Sequence, residues 1–311
     1  MTEGEQQLQD LALAIKRARS QADGQAGLKQ TVPVRAANLA HVNGEARAGD
    51  CLVSVLASGS KGNATFIACG RTKILVDAGI SCRRIEQGLK RYGCTLQELD
   101  GIFITHEHSD HINGLPVLLK KADLPVYTTA ETWQAMGKKT AAYSHCFVPL
   151  TRRVGLKEIQ VVPFSISHDA ARPVGYTVYY GDTKITLATD LGRITSDVWQ
   201  AAAYADILIL EANHDEDMLR QGPYPYHLQQ RILSPWGHLS NKTAADFLTQ
   251  VPLKKQLKVL LAHRSEKNNT PALALHTMRT VLARSGRAVG GDILLRLACQ
   301  RGSVRFQEGS F

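Results

Sequence analysis

From Cys51 onward, short apolar runs alternate with turn residues. CLVSVLASGS (51–60) reads as a strand running into a Gly/Ser loop, and ATFIACG, TKILVDAG and LDGIFIT read as β-rich segments divided by turns. Residues 81–93 and NGLPVLLKKA (113–122) carry helical spacing. PVYTT, IQVVPF, VGYTVYYG, KITLATD and ADILILEA continue the strands. KTAADFLTQ and ALALHTMRTVLARSG are late helices with the strands LKVLLAH and DILLRLA near them. Strands come in runs with helices between the runs, which predicts an α/β fold of helix-covered sheets. Residues 1–50 differ. Gln6–Arg19 has amphipathic spacing through Leu8, Leu11, Leu13 and Ile15, and the stretch after it is polar without sustained periodicity. The expectation is a partly helical, otherwise flexible extension over 1–50 and one domain over 51–311.

Composition adds little to that picture. Hydrophobic residues make up 44% of the 311, enough for a real core. Lys and Arg number 37 against 28 acidic residues, a formal charge of +9, which favours a polyanionic partner such as nucleic acid but equally fits a merely basic surface. The six cysteines (Cys51, Cys69, Cys82, Cys94, Cys146 and Cys299) are scattered without a C-x-x-C pair, and read as reduced thiols. The N-terminus lacks the apolar core of a signal peptide, and no apolar run reaches the roughly 20 residues of a membrane helix. These features predict a cytoplasmic protein without a membrane partner.

The chemistry concentrates in THEHSDHI (105–112). His106 and His108 share a side in extended chain, and Asp110 and His111 follow as the chain turns into a helix. Neutral imidazoles with a carboxylate suit Zn²⁺, Mn²⁺ or Fe²⁺. One ion cannot use all four groups and keep a position open for water; two ions can, if further ligands arrive from elsewhere. His168, Asp190 and His263 each fall at the end of an expected strand. Any one of them reads equally well as a hydrogen-bonded histidine or a helix cap, but the three together with H-x-H-x-D-H predict a two-metal centre.

Over about residues 51–270 the sequence resembles the metallo-β-lactamase fold superfamily, through H-x-H-x-D-H and through LVDAG with Asp77. LASGSKGNAT, ITHEHSDHING, ATDLG, ILEANHD, GHLSN and AHRSEKNNTP resemble its YycJ/WalJ-type branch, related to the tRNase Z and phosphodiesterase enzymes. The resemblance implies a four-layered αββα sandwich and two divalent ions. It places His106, His108 and His168 on one metal, Asp110, His111 and His263 on the other, Asp190 between them, and Asp77 as structural support. It also implies phosphodiester hydrolysis, as a 5′→3′ exonuclease on DNA rather than RNA. Near the last ligand this chain reads Ala262-His263-Arg264-Ser265 where the family pattern is closer to SHLS; the ligand position survives.

Asp110, His238 and Glu211 are the residues expected to carry catalysis. His238, in GHLSN, either protonates the leaving alkoxide or is a helix-start histidine held by Ser240 or Asn241. Glu211 is placed to orient His238 or a ligand, while His214 reads as exposed. Ser60, Lys61 and Asn63 form a small-residue loop that could approach a phosphate or serve only as a tight turn; it lacks Walker A spacing. Asn268, Asn269 and Thr270 precede Pro271 as candidate caps. Two cations about 3.5–4 Å apart lower the pKa of a bridging water, so the bridging hydroxide serves as nucleophile and no protein nucleophile is needed. The competing readings are a dimetal hydrolase of a small-molecule ester, thioester or cyclic phosphodiester on the same fold, and a non-catalytic nucleic-acid-binding protein.

Overall fold

A computed structural model describes residues 51–300 and 303–308. The extension expected over 1–50, with its amphipathic segment Gln6–Arg19, lies outside the described residues. The first half of the domain runs β1 (Cys51–Ala57), β2 (Ala64–Cys69), β3 (Thr72–Val76), α1 (Cys82–Lys90), β4 (Gly101–Phe103), α2 (Ser109–Ile112), α3 (Leu115–Lys121), β5 (Val126–Thr128), α4 (Ala130–Met136) and β6 (Phe147–Pro149). The second half runs β7 (Val154–Leu156), β8 (Ile159–Ser165), β9 (Val174–Tyr180), β10 (Thr183–Ala188), α5 (Ser196–Ala202), β11 (Ile207–Glu211), α6 (Glu216–Gln221), α7 (Tyr226–Leu233), α8 (Asn241–Gln250), β12 (Leu257–Ala262), α9 (Pro271–Arg284), β13 (Ile293–Leu297) and β14 (Val304–Glu308).

The strands form two seven-stranded sheets, ordered β14-β1-β2-β3-β4-β5-β6 and β13-β12-β11-β10-β9-β8-β7. Both are mixed. β14 to β3 are antiparallel and β3 to β6 parallel; β7 to β10 are antiparallel and β10 to β13 parallel. β1, β2 and β11 are buried along their whole length, because each sheet is covered on both faces. The apolar side chains accordingly fall into three layers. Val53, Ile67, Ile74 and Phe103 meet Tyr176, Ile185, Ile209 and Leu260 between the sheets. Ile85, Leu89, Leu115 and Leu118 cover the outer face of the first sheet. Val198, Phe247, Leu248, Met278 and Leu282 cover the outer face of the second. This is the αββα sandwich anticipated from the sequence.

The parallel strands carry their carboxyl ends to the chemistry. Thr105 and His106 follow β4, Asp190 follows β10, Glu211 ends β11 and His263 follows β12. Crosslinks between the sheets fix this rim. The Val174 amide donates to the Thr105 carbonyl (3.1 Å), and the Tyr176 hydroxyl donates to the Ile104 carbonyl (2.6 Å). The Phe103 ring stacks on Tyr127 at 4.6 Å and meets Tyr176 edge-on at 5.5 Å. Asp77, Asp190 and His263 adopt left-handed backbone, with φ of 60°, 59° and 51°. A turn that sharp lifts each side chain out of its strand's alternation at some conformational cost.

The expectation of six reduced thiols is corrected at one pair. Cys51 and Cys69 are joined as a disulfide, with 4.3 Å between their Cα atoms. They are direct cross-strand partners on β1 and β2. That antiparallel register sets the two side chains facing each other, a proximity that 18 residues of separation conceals. Cys82, Cys94 and Cys146 are free and buried, and Cys299 is free and exposed. Among the described residues no helix is long and apolar enough to cross a membrane.

Candidate metal centre

Seven side chains converge at the rim. Potential ligand atoms of His106, His108 and His168 lie within 4.8 Å of one another, as do those of Asp110, His111 and His263. Asp190 groups with His106 and His111, and also with Glu211, His238 and His263. Its Oδ2 stands 3.3 Å from His111 Nε2, and its Oδ1 3.3 Å from His263 Nε2 and 4.0 Å from His168 Nε2. Asp110 Oδ2 lies 3.6 Å from both His111 Nε2 and His263 Nε2.

The surrounding hydrogen bonds settle which ring nitrogens face inward. The Thr105 hydroxyl lies 3.0 Å from the Asp77 carboxylate and 3.0 Å from His106 Nδ1. It donates to the carboxylate and therefore accepts from Nδ1–H, leaving His106 Nε2 as an acceptor. Asp77 Oδ2 takes the Nδ1 proton of His111 (2.8 Å), and Glu211 Oε1 that of His263 (2.8 Å). His168 Nδ1 donates to the Gly237 carbonyl (3.3 Å), which leaves its Nε2 unprotonated, and that nitrogen lies 3.3 Å from His108 Nδ1. Such outer partners fix tautomer and ring direction around metal ions.

The donor set fits divalent cations. His106 Nε2, Asp190 Oδ2 and His263 Nε2 are buried and have no hydrogen-bond partner, an unfavourable state for neutral polar atoms and the expected one for ligand atoms. Charge balance points the same way. Burial opposes protonation of His111, yet Asp190 and Asp77 lift it well above the ordinary imidazole range. His263 behaves likewise through Asp190, Asp110 and Glu211. Burial opposes ionisation of Asp190, but His263 and His111 hold its carboxyl well below the usual carboxylate range. The cluster favours positive charge at its middle, which divalent cations would supply while the imidazoles stayed neutral.

Glu211 is fully buried and fully used. Oε1 accepts from both His238 Nδ1 and His263 Nδ1 at 2.8 Å, and Oε2 accepts the amides of Leu191 (2.9 Å) and Leu239 (3.2 Å). Burial works against its charge, but His238 and His263 bring its pKa down to about 2. Of the two readings of His238, as proton donor or as a residue held by Ser240 or Asn241, the structure assigns its Nδ1 to Glu211. The ring lies 5.2 Å from His168 and 5.0 Å from His263, and its side chain is 15% exposed. Ser240 instead caps α8 by accepting from the Thr243 amide (3.1 Å).

The loop at 58–63 divides. Ser60 and Lys61 are exposed, and Lys61 pairs with Glu266 at 2.6 Å. Asn63 turns inward. Its Oδ1 accepts the Gly59 amide (2.8 Å), and its Nδ2 lies 3.0 Å from His111 Nε2 and 3.3 Å from Asp110 Oδ2. The Asn63 amide donates to the Asp110 carbonyl (2.7 Å), and Gly79 packs so closely there that a Cβ would sit 1.6 Å from that carbonyl oxygen. His214 is corrected. It is 1% exposed, not a surface residue, and burial lowers its pKa to about 4. Its backbone bridges to Ser240, the cap of α8. Thr270 caps α9 as expected, accepting from Leu273 N (3.1 Å). Sequence reasoning missed Thr105, Asn213, whose Nδ2 donates to the His263 carbonyl (2.7 Å), and Ser58, whose hydroxyl accepts the His263 amide (2.6 Å). Small polar residues beside ligands give no periodic or compositional signal.

The arrangement is a histidine- and carboxylate-lined centre on a double-sheet αββα scaffold. Residues 72–263 match the beta-lactamase superfamily domain, and the chain belongs to that superfamily. It is 39% identical over 246 residues to Exodeoxyribonuclease WalJ of Streptococcus pneumoniae, covering 77% of this chain and 91% of that one. It is 39% identical over 242 residues to Exodeoxyribonuclease YycJ of Bacillus anthracis, covering 76% and 91%. In three dimensions it is similar to the metallo-beta-lactamase fold protein YhfI from Bacillus subtilis, with a TM-score of 0.64 and 16% identity over 84% of this chain and 100% of that one.

Proposed function

We propose that the protein is a divalent-metal-dependent phosphodiesterase that degrades DNA exonucleolytically from 5′ ends. In this reading His106, His108 and His168 hold one ion, Asp110, His111 and His263 hold a second, and Asp190 serves both. Imidazoles with carboxylates suit Zn²⁺ and Mn²⁺, and Fe²⁺ also fits. The observation that carries the proposal is the 39% identity, over nine-tenths of their length, to two proteins named exodeoxyribonucleases. The converging unpartnered ring nitrogens and the net charge of +9, which suits a polyanion, support it.

When bound, the cations would supply a low-pKa water and Lewis-acid stabilisation of phosphoryl oxygen. The rest falls to the chain's own groups. Asp77, Thr105 and Glu211 orient the imidazoles. His238, with Nδ1 held by Glu211, presents Nε2 to hold a proton for the departing oxygen, and the ionised Glu211 stabilises the imidazolium. Burial excludes water from the ligand side while the mouth stays open at His238 and Asp110.

The test is incubation of the purified protein with end-labelled single- and double-stranded DNA and RNA in Mn²⁺ or Zn²⁺. The expected ladder shows stepwise loss from DNA 5′ ends, abolished by a chelator. Intact nucleic acid beside rapid turnover of a thioester or cyclic phosphodiester would replace this reading with the small-molecule one.

A further inference from the structure

The turn that leads into His238 also carries a large aromatic side chain facing outward. Trp236 is 55% exposed, whereas Trp133 and Trp199 pack against the outer helix layers. The Arg193 guanidinium carbon lies 5.7 Å from the centre of the Trp236 ring, within cation–π reach. Arg193 is itself exposed, and among the described residues it has no carboxylate within ion-pair distance.

Both side chains stand on backbone locked to the metal centre. The Ser167 hydroxyl donates to the Pro235 carbonyl (2.7 Å), the Gly192 amide donates to the Ser167 carbonyl (2.9 Å), and the Gly237 carbonyl accepts from His168 Nδ1. Neither glycine leaves room for a side chain. A Cβ on Gly192 would lie 2.4 Å from the Pro235 carbonyl carbon, and one on Gly237 would lie 2.2 Å from the Ile232 carbonyl oxygen. Trp236 therefore sits two residues from His238, and Arg193 three from Asp190, on a rigid rim.

An exposed indole with a guanidinium at its ring suits a flat neutral π-system with a negatively charged group attached beside it. Bases stacked on aromatic side chains beside arginine are the general means of holding a single strand without reading its sequence. We propose that Trp236 and Arg193 form a stacking platform for a nucleobase of single-stranded DNA, within a few nucleotides of the phosphate being cleaved. This rests on the nuclease reading above. The platform tolerates any base, favours single-stranded or frayed ends, and sets register by stacking while the metal centre takes the phosphate.

The experiment pairs Trp236→Ala and Trp236→Phe with single-stranded oligonucleotides carrying one abasic position, moved stepwise from the cleaved end. Trp236→Ala should lower kcat/KM on the intact strand by about 5- to 150-fold, chiefly through KM, and Trp236→Phe should restore most of it. In the wild type one abasic position should give a similar loss, and at that position Trp236→Ala should add nothing further. Losses that multiply at every abasic position overturn the platform. So does an equal fractional loss on a fully abasic single strand, which has no base to stack. A wild-type enzyme inert toward all DNA overturns the nuclease reading and the platform with it, whereas cleavage without coupling overturns the platform alone.

Discussion

On one side of the candidate metal centre, His106, His108, Asp110 and His111 come from a single stretch of chain running from the end of β4 through α2. On the other, Asp190, Glu211, His238 and His263 come from four separate places in the second half of the chain: after β10, at the end of β11, between α7 and α8, and after β12. The local side is braced by a relay, with Asp77 accepting from His111 and from Thr105, whose hydroxyl in turn accepts from His106. The dispersed side hangs on one carboxylate, since Glu211 Oε1 accepts from His238 and His263 together. A change at Asp77 should therefore disturb ligands only, His111 directly and His106 through Thr105, whereas a change at Glu211 reaches a ligand and His238 at once.

Asp190 belongs to both sides, so Asp190→Ala should have the largest effect. We expect it to lose more metal and more activity than any single histidine variant, beyond the roughly 10- to 100-fold typical of outer-shell changes. Metal content and bis(p-nitrophenyl) phosphate turnover across alanine variants of the seven residues check this; retention of two ions with near-normal turnover would refute it. Glu211→Gln comes next. It should weaken metal retention through His263 and also reproduce the loss seen in His238→Ala, two defects from one substitution, read by metal analysis beside DNA cleavage.

His238→Ala should keep the metal content and lose about 10²- to 10⁴-fold on DNA. Its loss should be much smaller on the nitrophenyl diester, whose leaving group scarcely needs a proton. A ratio of the two losses near one would assign His238 a structural role only. On the local side, Asp77→Asn should lower metal affinity about 10- to 100-fold with little change in that ratio, because His238 does not depend on Asp77.

The smallest effect concerns pH. His214 titrates near 4 in the fold because burial disfavours its charge, and near 6.5 when unfolded. Its neutral form is fully accommodated above pH 6.5, and stability falls as pH drops from 6.5 toward 4, by roughly 2 kcal/mol at pH 5. Urea midpoints of wild type and His214→Asn should converge between pH 8 and pH 5; parallel curves would remove His214 from the acid response.

The two sides also differ in how far the sequence discloses them. H-x-H-x-D-H is compact enough to read directly, and the strands that deliver His168, Asp190 and His263 are apolar runs with clear ends. Asn63 looked like a phosphate-binding loop residue, yet its amide is spent on Asp110 and His111; direction of a side chain in a turn is set by packing from β3 and α2. His214 reads as exposed because it lies in the polar stretch Asn213-His214-Asp215 just past a strand, yet it is 1% exposed. Residues of α4, α5, α6 and α7 span only six to eight positions each, too short for periodicity to stand out. β6 and β7 have three residues each, and β14 depends on a partner more than two hundred positions away.

The left-handed backbone at Asp77, Asp190 and His263 sets thermostability against turnover. Each departs from a strand end in a conformation that glycine adopts freely and other residues adopt at about 1 kcal/mol or more. A library selected only for melting temperature would drift toward glycine at 190 and 263, gaining backbone relief at each step and erasing a carboxylate or imidazole of the cluster, whereas Asp77 would persist because its carboxylate accepts from Thr105 and His111. Well-folded, heat-resistant and silent variants should therefore be easy to isolate from this chain, with their substitutions concentrated at these two corners.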